Sequence, residues 1–93
     1  MSLPIVWRQS ALADFANIIA FIAERSPTAA RSLKATIESA VLPASDYPYL
    51  FRAGRVPGTH EIVAHPNYIV VYSVTAIAVE ILTVVHSRQQ YPK

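Results

Sequence analysis

Residues 61–85 decide what this chain can become. Three runs of β-branched and aromatic residues follow one another there: Glu61–Ala64 (EIVA), Tyr68–Val74 (YIVVYSV) and Val79–Val85 (VEILTVV). Such side chains suit a pleated, half-buried surface. Pro66-Asn67 fits the centre of a tight turn, because proline presets φ and asparagine tolerates unusual backbone angles. Thr75–Ala78 must also reverse the chain. The three runs read as an antiparallel three-stranded meander.

The upstream half reads differently. Leu3–Arg8 (LPIVWR) is a short first strand, and Pro4 sends it to a sheet edge because proline cannot donate a ladder hydrogen bond. Trp7 is expected in the core. Ser10 is expected to cap a first helix. Leu12, Phe15, Ala16, Ile19, Ile22 and Ala23 recur at helical spacing, and Ile18 and Phe21 widen that stripe. A flank this wide either packs against two neighbours or is kept for a partner. Ser26-Pro27 is a strong start signal for a second helix, with Ala30, Leu33, Ile37 and Ala40 on one face. Lys34 and Glu38 can pair off that face. The short link makes the two helices an antiparallel hairpin. Pro43 ends or kinks the second helix, and Ala44–Pro57 reads as a loop across the sheet. The expected fold is therefore α+β: an N-terminal edge strand, a helical hairpin, then the meander, with both helices on one face. Residues 1–93 form one domain.

Composition narrows the function. The chain is 53% apolar, high for 93 residues, which leaves apolar surface for a partner. No run reaches the roughly 18 uninterrupted apolar residues of a membrane span, and the N-terminus does not read as a secretory signal. Without cysteine there are no disulfides or thiolate metal sites, which fits a cytoplasmic protein. Residues 48–93 carry Arg52, Arg55, Arg88 and Lys93 against Glu61 and Glu80, together with all three histidines. Positive potential thus gathers on the sheet. The excess is mild for a protein that holds nucleic acid by phosphate contacts alone. His60, His65 and His86 match no metal-ligand spacing, and two glycines cannot build a phosphate-cradling loop; neither a metal nor a cofactor is expected.

The chemistry-bearing groups follow the third strand. His86, Arg88, Gln89, Gln90 and Tyr91 appear as soon as the apolar run stops, and Arg52 and Arg55 precede the meander. Arginine offers a planar fork of donors to phosphate or carboxylate. Histidine moves protons near neutral pH. Tyrosine stacks on a base or acts as a weak acid. The set could bind RNA and promote attack of a 2′-hydroxyl on its neighbouring phosphate. Equally, the arginines could solubilise a rim, His86 end a strand and Tyr91 pack a tail.

Taken in order, Pro48, Gly54-Arg55, Gly58-Thr59-His60-Glu61-Ile62, Tyr68-Ile69-Val70-Val71-Tyr72 and Val79-Glu80-Ile81-Leu82 through His86, Arg88-Gln89 and Tyr91-Pro92 resemble the RelE/ParE superfamily, the toxins of bacterial type II toxin–antitoxin modules. The resemblance implies an antitoxin partner whose disordered segment folds over the apolar hairpin, on Phe15, Ile18, Phe21 and Ile22. It also implies a target, DNA gyrase or ribosome-bound mRNA, met by Arg52, Arg55, His60 and Arg88, with His86 and Tyr91 as acid or base if RNA is cut. A homodimer or a heterotetramer with antitoxin is compatible with it. Two departures bear on mechanism. His60 stands where the resembling toxins have arginine, so the site is expected to be weakened. Ile69 stands where the mRNA-cleaving branch often has an arginine at the scissile phosphate, and losing such a cation costs orders of magnitude in rate. The reading leans toward a gyrase-binding toxin, against an mRNA endonuclease and a detoxified antitoxin-binding domain.

Overall fold

The computed structural model describes residues 2–92. Its elements are β1 (Ile5–Trp7), α1 (Gln9–Ala23), α2 (Pro27–Ala40), β2 (Arg52–Ala53), β3 (Thr59–His65), β4 (Tyr68–Val74) and β5 (Val79–His86). A 3-10 turn, Leu42–Ser45, follows α2. The fold is the expected α+β arrangement, with one enlargement. The meander β3–β4–β5 is the centre of a five-stranded mixed sheet, ordered β1-β5-β4-β3-β2. β1 lies parallel to β5 at one edge, with Ile5 opposite Val79 and Trp7 opposite Ile81. β2, inside the stretch expected to be all loop, pairs antiparallel with β3 through Arg52–Glu61 and Ala53–His60. Two residues are too few to show the period-2 pattern of a strand.

Both expected turns form. Pro66 and Asn67 join β3 to β4. At Thr75 the backbone N–H donates to Ala78 O (2.9 Å), and the side-chain oxygen accepts from Ile77 N–H and Ala78 N–H. A threonine hydroxyl thus replaces the turn chemistry that glycine or asparagine usually supplies.

The sheet buries one face completely. Ile62, Val70, Tyr72, Val79, Ile81 and Val84 pack with Ala11 and Phe15 of α1 and Leu33 and Ile37 of α2. Tyr72, Ile37, Ile81, Val70 and Val79 are the largest fully buried side chains. Each aliphatic one contributes about 1.5–3 kcal/mol by leaving water. Ile81 and Val84 share this face although an unbroken strand would put them on opposite faces. The register explains it: Val71 faces Thr83 whereas Tyr72 faces Ile81, so Leu82 is an extra residue in β5. Such a bulge reverses the facing of every later side chain.

The helices correct two expectations. Ser10 does not cap α1. The helix starts at Gln9 directly after an extended Arg8 with no side-chain cap, and the Ser10 hydroxyl donates to Leu82 O instead (3.3 Å). The sheet-facing row of α1 is led by Ala11 and Phe15, with Ile18 and Ile22 half-buried; Leu12 and Ala16 stay exposed. α2 behaves as read. Ser26 Oγ accepts from Ala29 N–H (3.1 Å), Pro27 occupies the first turn, and Ala30, Leu33 and Ile37 are buried. Lys34 pairs with Glu38 at 2.9 Å.

Candidate functional site

Arg55 is the best-positioned cation on the open face of the sheet, because the loop that carries it is tightly fixed. Gly54 N–H donates to Thr59 O (2.8 Å), and Thr59 N–H and its hydroxyl both donate to Val56 O (3.1 and 2.6 Å). A Cβ on Gly54 would lie 2.1 Å from the Thr59 hydroxyl oxygen, so no larger residue fits there unless Thr59 moves. Gly58 closes the loop at φ +83°, where side chains are strained. The Arg55 guanidinium lies 4.4 Å from the Tyr91 ring centroid and donates to Gln89 O (3.3 Å) and Tyr91 O (3.4 Å). Tyr91 packs on Ile69, Val71 and Val85, the apolar patch of the open face. Arg55 and Tyr91 therefore form one unit, and the arginine straps the C-terminal segment to the sheet.

The other expected rim groups are divided. His86 ends β5, but its ring meets Tyr68 edge-on at 5.4 Å, and Tyr68 belongs to the helix-covered side. His86 Nδ1 accepts from Arg88 N–H (3.1 Å), which leaves the ring hydrogen of the neutral imidazole on Nε2. His65 meets the same tyrosine at 5.9 Å, its Nδ1 accepting from Asn67 N–H. Arg88 is exposed on the turn after β5 and makes no ion pair among the described residues. Arg52 is neutralised: its guanidinium pairs with Glu61 at 2.8 Å, and that carboxylate is only 5% exposed. Arg8 is likewise paired with Glu80 at 2.7 Å. Arg52, one of the cations that the sequence count credits to the sheet, is thus balanced by an acid, and Glu80 of the same count is taken up by Arg8 from the N-terminal half.

His60 is on the covered side, as strand parity with Ile62 implies. It stacks on Tyr72 (5.3 Å, interplanar angle 21°) and meets Tyr49 edge-on at 5.7 Å. Its Nδ1–H donates to Phe51 O (3.1 Å), so its partner is a backbone carbonyl and not Glu61, whose carboxylate pairs with Arg52. Tyr72 donates its hydroxyl to Pro48 O (2.5 Å), and burial pushes its pKa up to about 12. Pro48 and Tyr72 thereby anchor the loop whose Tyr47, Tyr49 and Leu50 stand exposed.

The helical hairpin leaves an apolar groove of about 670 Å³, floored by Trp7, Leu12, Phe15, Ala16, Ile19 and Ala20 and edged by Lys34 and Glu38. Of the four residues expected to meet a partner, Phe15 lines this groove. Ile18 lines a second pocket on the opposite flank of α1. Phe21 is exposed under Arg25, which sits 5.4 Å from its ring centroid, and Ile22 packs on the core. Leu12, Ala16 and Ile19 were visible as part of the apolar stripe, but the stripe alone could not say which of its members face the groove. Among the described residues no three His, Cys, Asp or Glu side chains are grouped to hold a metal ion. No helix among them is long and apolar enough to cross a membrane.

A small mixed sheet, a hairpin with an open apolar groove and a cation fixed beside the terminal strap define a small α+β protein. Comparison with known proteins identifies the kind. A family model described as the ParE toxin of the type II toxin–antitoxin system, parDE, matches residues 5–91. The Sinorhizobium fredii (strain NBRC 101917 / NGR234) protein called "Putative toxin Y4kP" is 40% identical over 90 residues, covering 96% of this chain and 93% of its own. A solved structure described as the chromosomal ParDE TA system from P. aeruginosa has the same fold, with a TM-score of 0.79 at 19% identity, covering 91% of this chain and 96% of that one. The chain belongs to the ParE toxin family of type II toxin–antitoxin systems.

Proposed function

We propose that this toxin acts in the cytoplasm by binding DNA gyrase without cleaving nucleic acid, and that its cognate antitoxin silences it by laying a folding segment into the hairpin groove. The observation that carries the target assignment is the state of the cations. Arg8 and Arg52 are consumed by Glu80 and Glu61, and Arg55 is engaged by the C-terminal segment. What remains is too little positive charge for a surface that works through phosphates, and it suits a protein partner. Ile69, where mRNA-cleaving relatives were expected to carry a cation, is buried in the apolar patch beneath Tyr91. His86 and Tyr91, the acid–base candidates, engage different faces of the sheet, which does not favour concerted proton transfer. Arg55, Arg88 and the Tyr91 strap form the target-facing surface on this reading. The partner reading rests on the groove, whose apolar floor suits an amphipathic segment, and extends to a heterotetramer with antitoxin.

Induced expression tests the target. Filamentation with a DNA-damage response, together with inhibition of gyrase supercoiling by the purified protein, is the expected outcome. Cleavage of ribosome-bound message by the purified protein would replace this reading with the endonuclease. One observation favours a second reading, a domain that keeps antitoxin binding but has lost toxicity: His60, in place of the arginine of resembling toxins, is enclosed between aromatic rings. Normal growth on induction, converted to arrest by His60→Arg, would establish it.

A further inference from the structure

We propose that the pocket between α1 and β5 takes one arginine side chain of the polypeptide that inhibits this toxin. The proposal rests on the antitoxin reading for the source of the arginine, and on the pocket alone for the chemistry. β1 accompanies β5 only from Val79 to Ile81, whereas β5 continues to His86. Beyond β1 a cavity of about 380 Å³ opens, lined among others by Asp14, Asn17, Thr83, Gln89 and Tyr91. That is near the lower end of the ~300–1,000 Å³ usual for ligand sites.

The lining has acceptors without matching donors. Asp14 Oδ2 accepts from the Thr83 hydroxyl (2.6 Å), and its carboxylate makes no ion pair among the described residues. The Tyr91 hydroxyl is buried with no hydrogen-bond partner, a costly state for a polar atom. Asn17 brings a side-chain amide to the same cavity, and Gln89 a second whose Oε1 also accepts from His86 N–H (3.4 Å). Arg55 does not line the cavity, and its Nη1 donates to the carbonyls of Gln89 and Tyr91. A carboxylate with a neighbouring phenol and amides is matched by a flat cation with several N–H groups. Guanidinium presents five in a fixed fork; ammonium presents three from a single, strongly hydrated point.

The pocket is also in reach of a chain seated in the groove. The groove uses Leu12, Ala16, Ile19 and Ala20 of α1, and the pocket uses Asp14, Asn17 and Ile18. The exposed ridge between these flanks carries Ala13, Asn17 and Ala20. Short side chains let a second backbone cross α1 there, from the apolar groove to the acid.

Titration of the full-length labelled protein with N-acetyl-arginine amide, followed by amide NMR, tests the chemistry. Shifts should concentrate at Asp14, Thr83, Gln89 and Tyr91, and N-acetyl-citrulline amide, the neutral isostere, should leave them in place. Asp14→Asn, which can still accept from Thr83, should weaken arginine binding at least tenfold. Asn17→Ala, an exposed change with little bearing on folding, should weaken it a few-fold. An equal response to citrulline, or full binding by both variants, overturns the proposal. A preference for N-acetyl-lysine amide overturns the choice of arginine. In the toxin–antitoxin complex the probe should no longer shift these amides. Persistent shifts there refute the partner's arginine while leaving the gyrase reading untouched, and absence of gyrase inhibition leaves the pocket result untouched.

Discussion

The two faces of this sheet are made from the same strands and obey different rules. On the covered face Tyr72, Val79 and Ile81 are fully buried, and the one buried hydroxyl, that of Tyr72, has a backbone partner. On the open face Ile69, Val71 and Val85 are buried under Leu82 and a tyrosine held by one arginine. Beside them a glutamate is buried with one of its oxygens unpaired. The covered face is thus closed by two helices, and the open face by a strap that local contacts alone retain. The difference separates the part that makes the fold from the part that the proposed reading assigns to the target.

Truncation should expose this contrast most strongly. Tyr72→Ala is expected to lose about 3–5 kcal/mol in denaturant unfolding, as for large aromatic core truncations. Val71→Ala, on the other face, should lose well under half of that, since only the strap and half-buried Leu82 cover its cluster. Equal losses would mean that the strap is as firmly seated as the helices. High pH probes the same tyrosine. Its folded pKa, about 12, exceeds the ordinary 10.0, so the native state holds the proton that the unfolded chain releases. This contribution is complete below pH 10 and is lost as pH rises toward 12, by about 2–3 kcal/mol at most. Stability measured across that range should fall in the wild type, and Tyr72→Phe should lack this component of the fall.

Smaller effects test the open face. Arg52→Ala leaves the Glu61 carboxylate buried without its cation and should cost about 1–3 kcal/mol. Glu61→Gln removes the buried charge itself and should cost less than about 1 kcal/mol. If the order is reversed, Glu61 is solvated and the face is wetter than described. Smallest of all, Arg55→Ala should cost about 0.5–1 kcal/mol in stability, yet it should raise proteolytic cleavage of residues 87–92 and weaken toxicity. Unchanged tail protection would separate Arg55 from the strap.

Much of the architecture was legible because it rests on repetition. The runs around Ile62, Val70 and Ile81 declared strands, and Ser26-Pro27 declared a helix start that the structure reproduces. Features without repetition were hidden. Arg52–Ala53 is too short to show alternation, and Ser10 resembled a cap because the sequence does not reveal that Arg8 enters the helix straight from β1. The site was less legible still. Arg55 and Tyr91 come together from residues 36 apart, and the neutralisation of Arg52 depends on a cross-strand register that no local pattern records. Parity with Ile62 alone puts His60 on the covered face, because β3 is regular from Thr59 to Val63. The same reckoning from Ile81 would put His86 on the wrong face, because parity fails after Leu82.

That extra residue makes β5 a sentence with a frameshift in its middle. Exchanging Leu82 for another apolar residue changes one word. Deleting it would restore the regular frame: Thr83 would follow Ile81 directly opposite Val71, and Val84, Val85 and His86 would keep the faces they have now. Chains descended from a common ancestor with this one should therefore vary the letter at position 82 freely, or lose it, but not gain or lose one between Thr83 and His86.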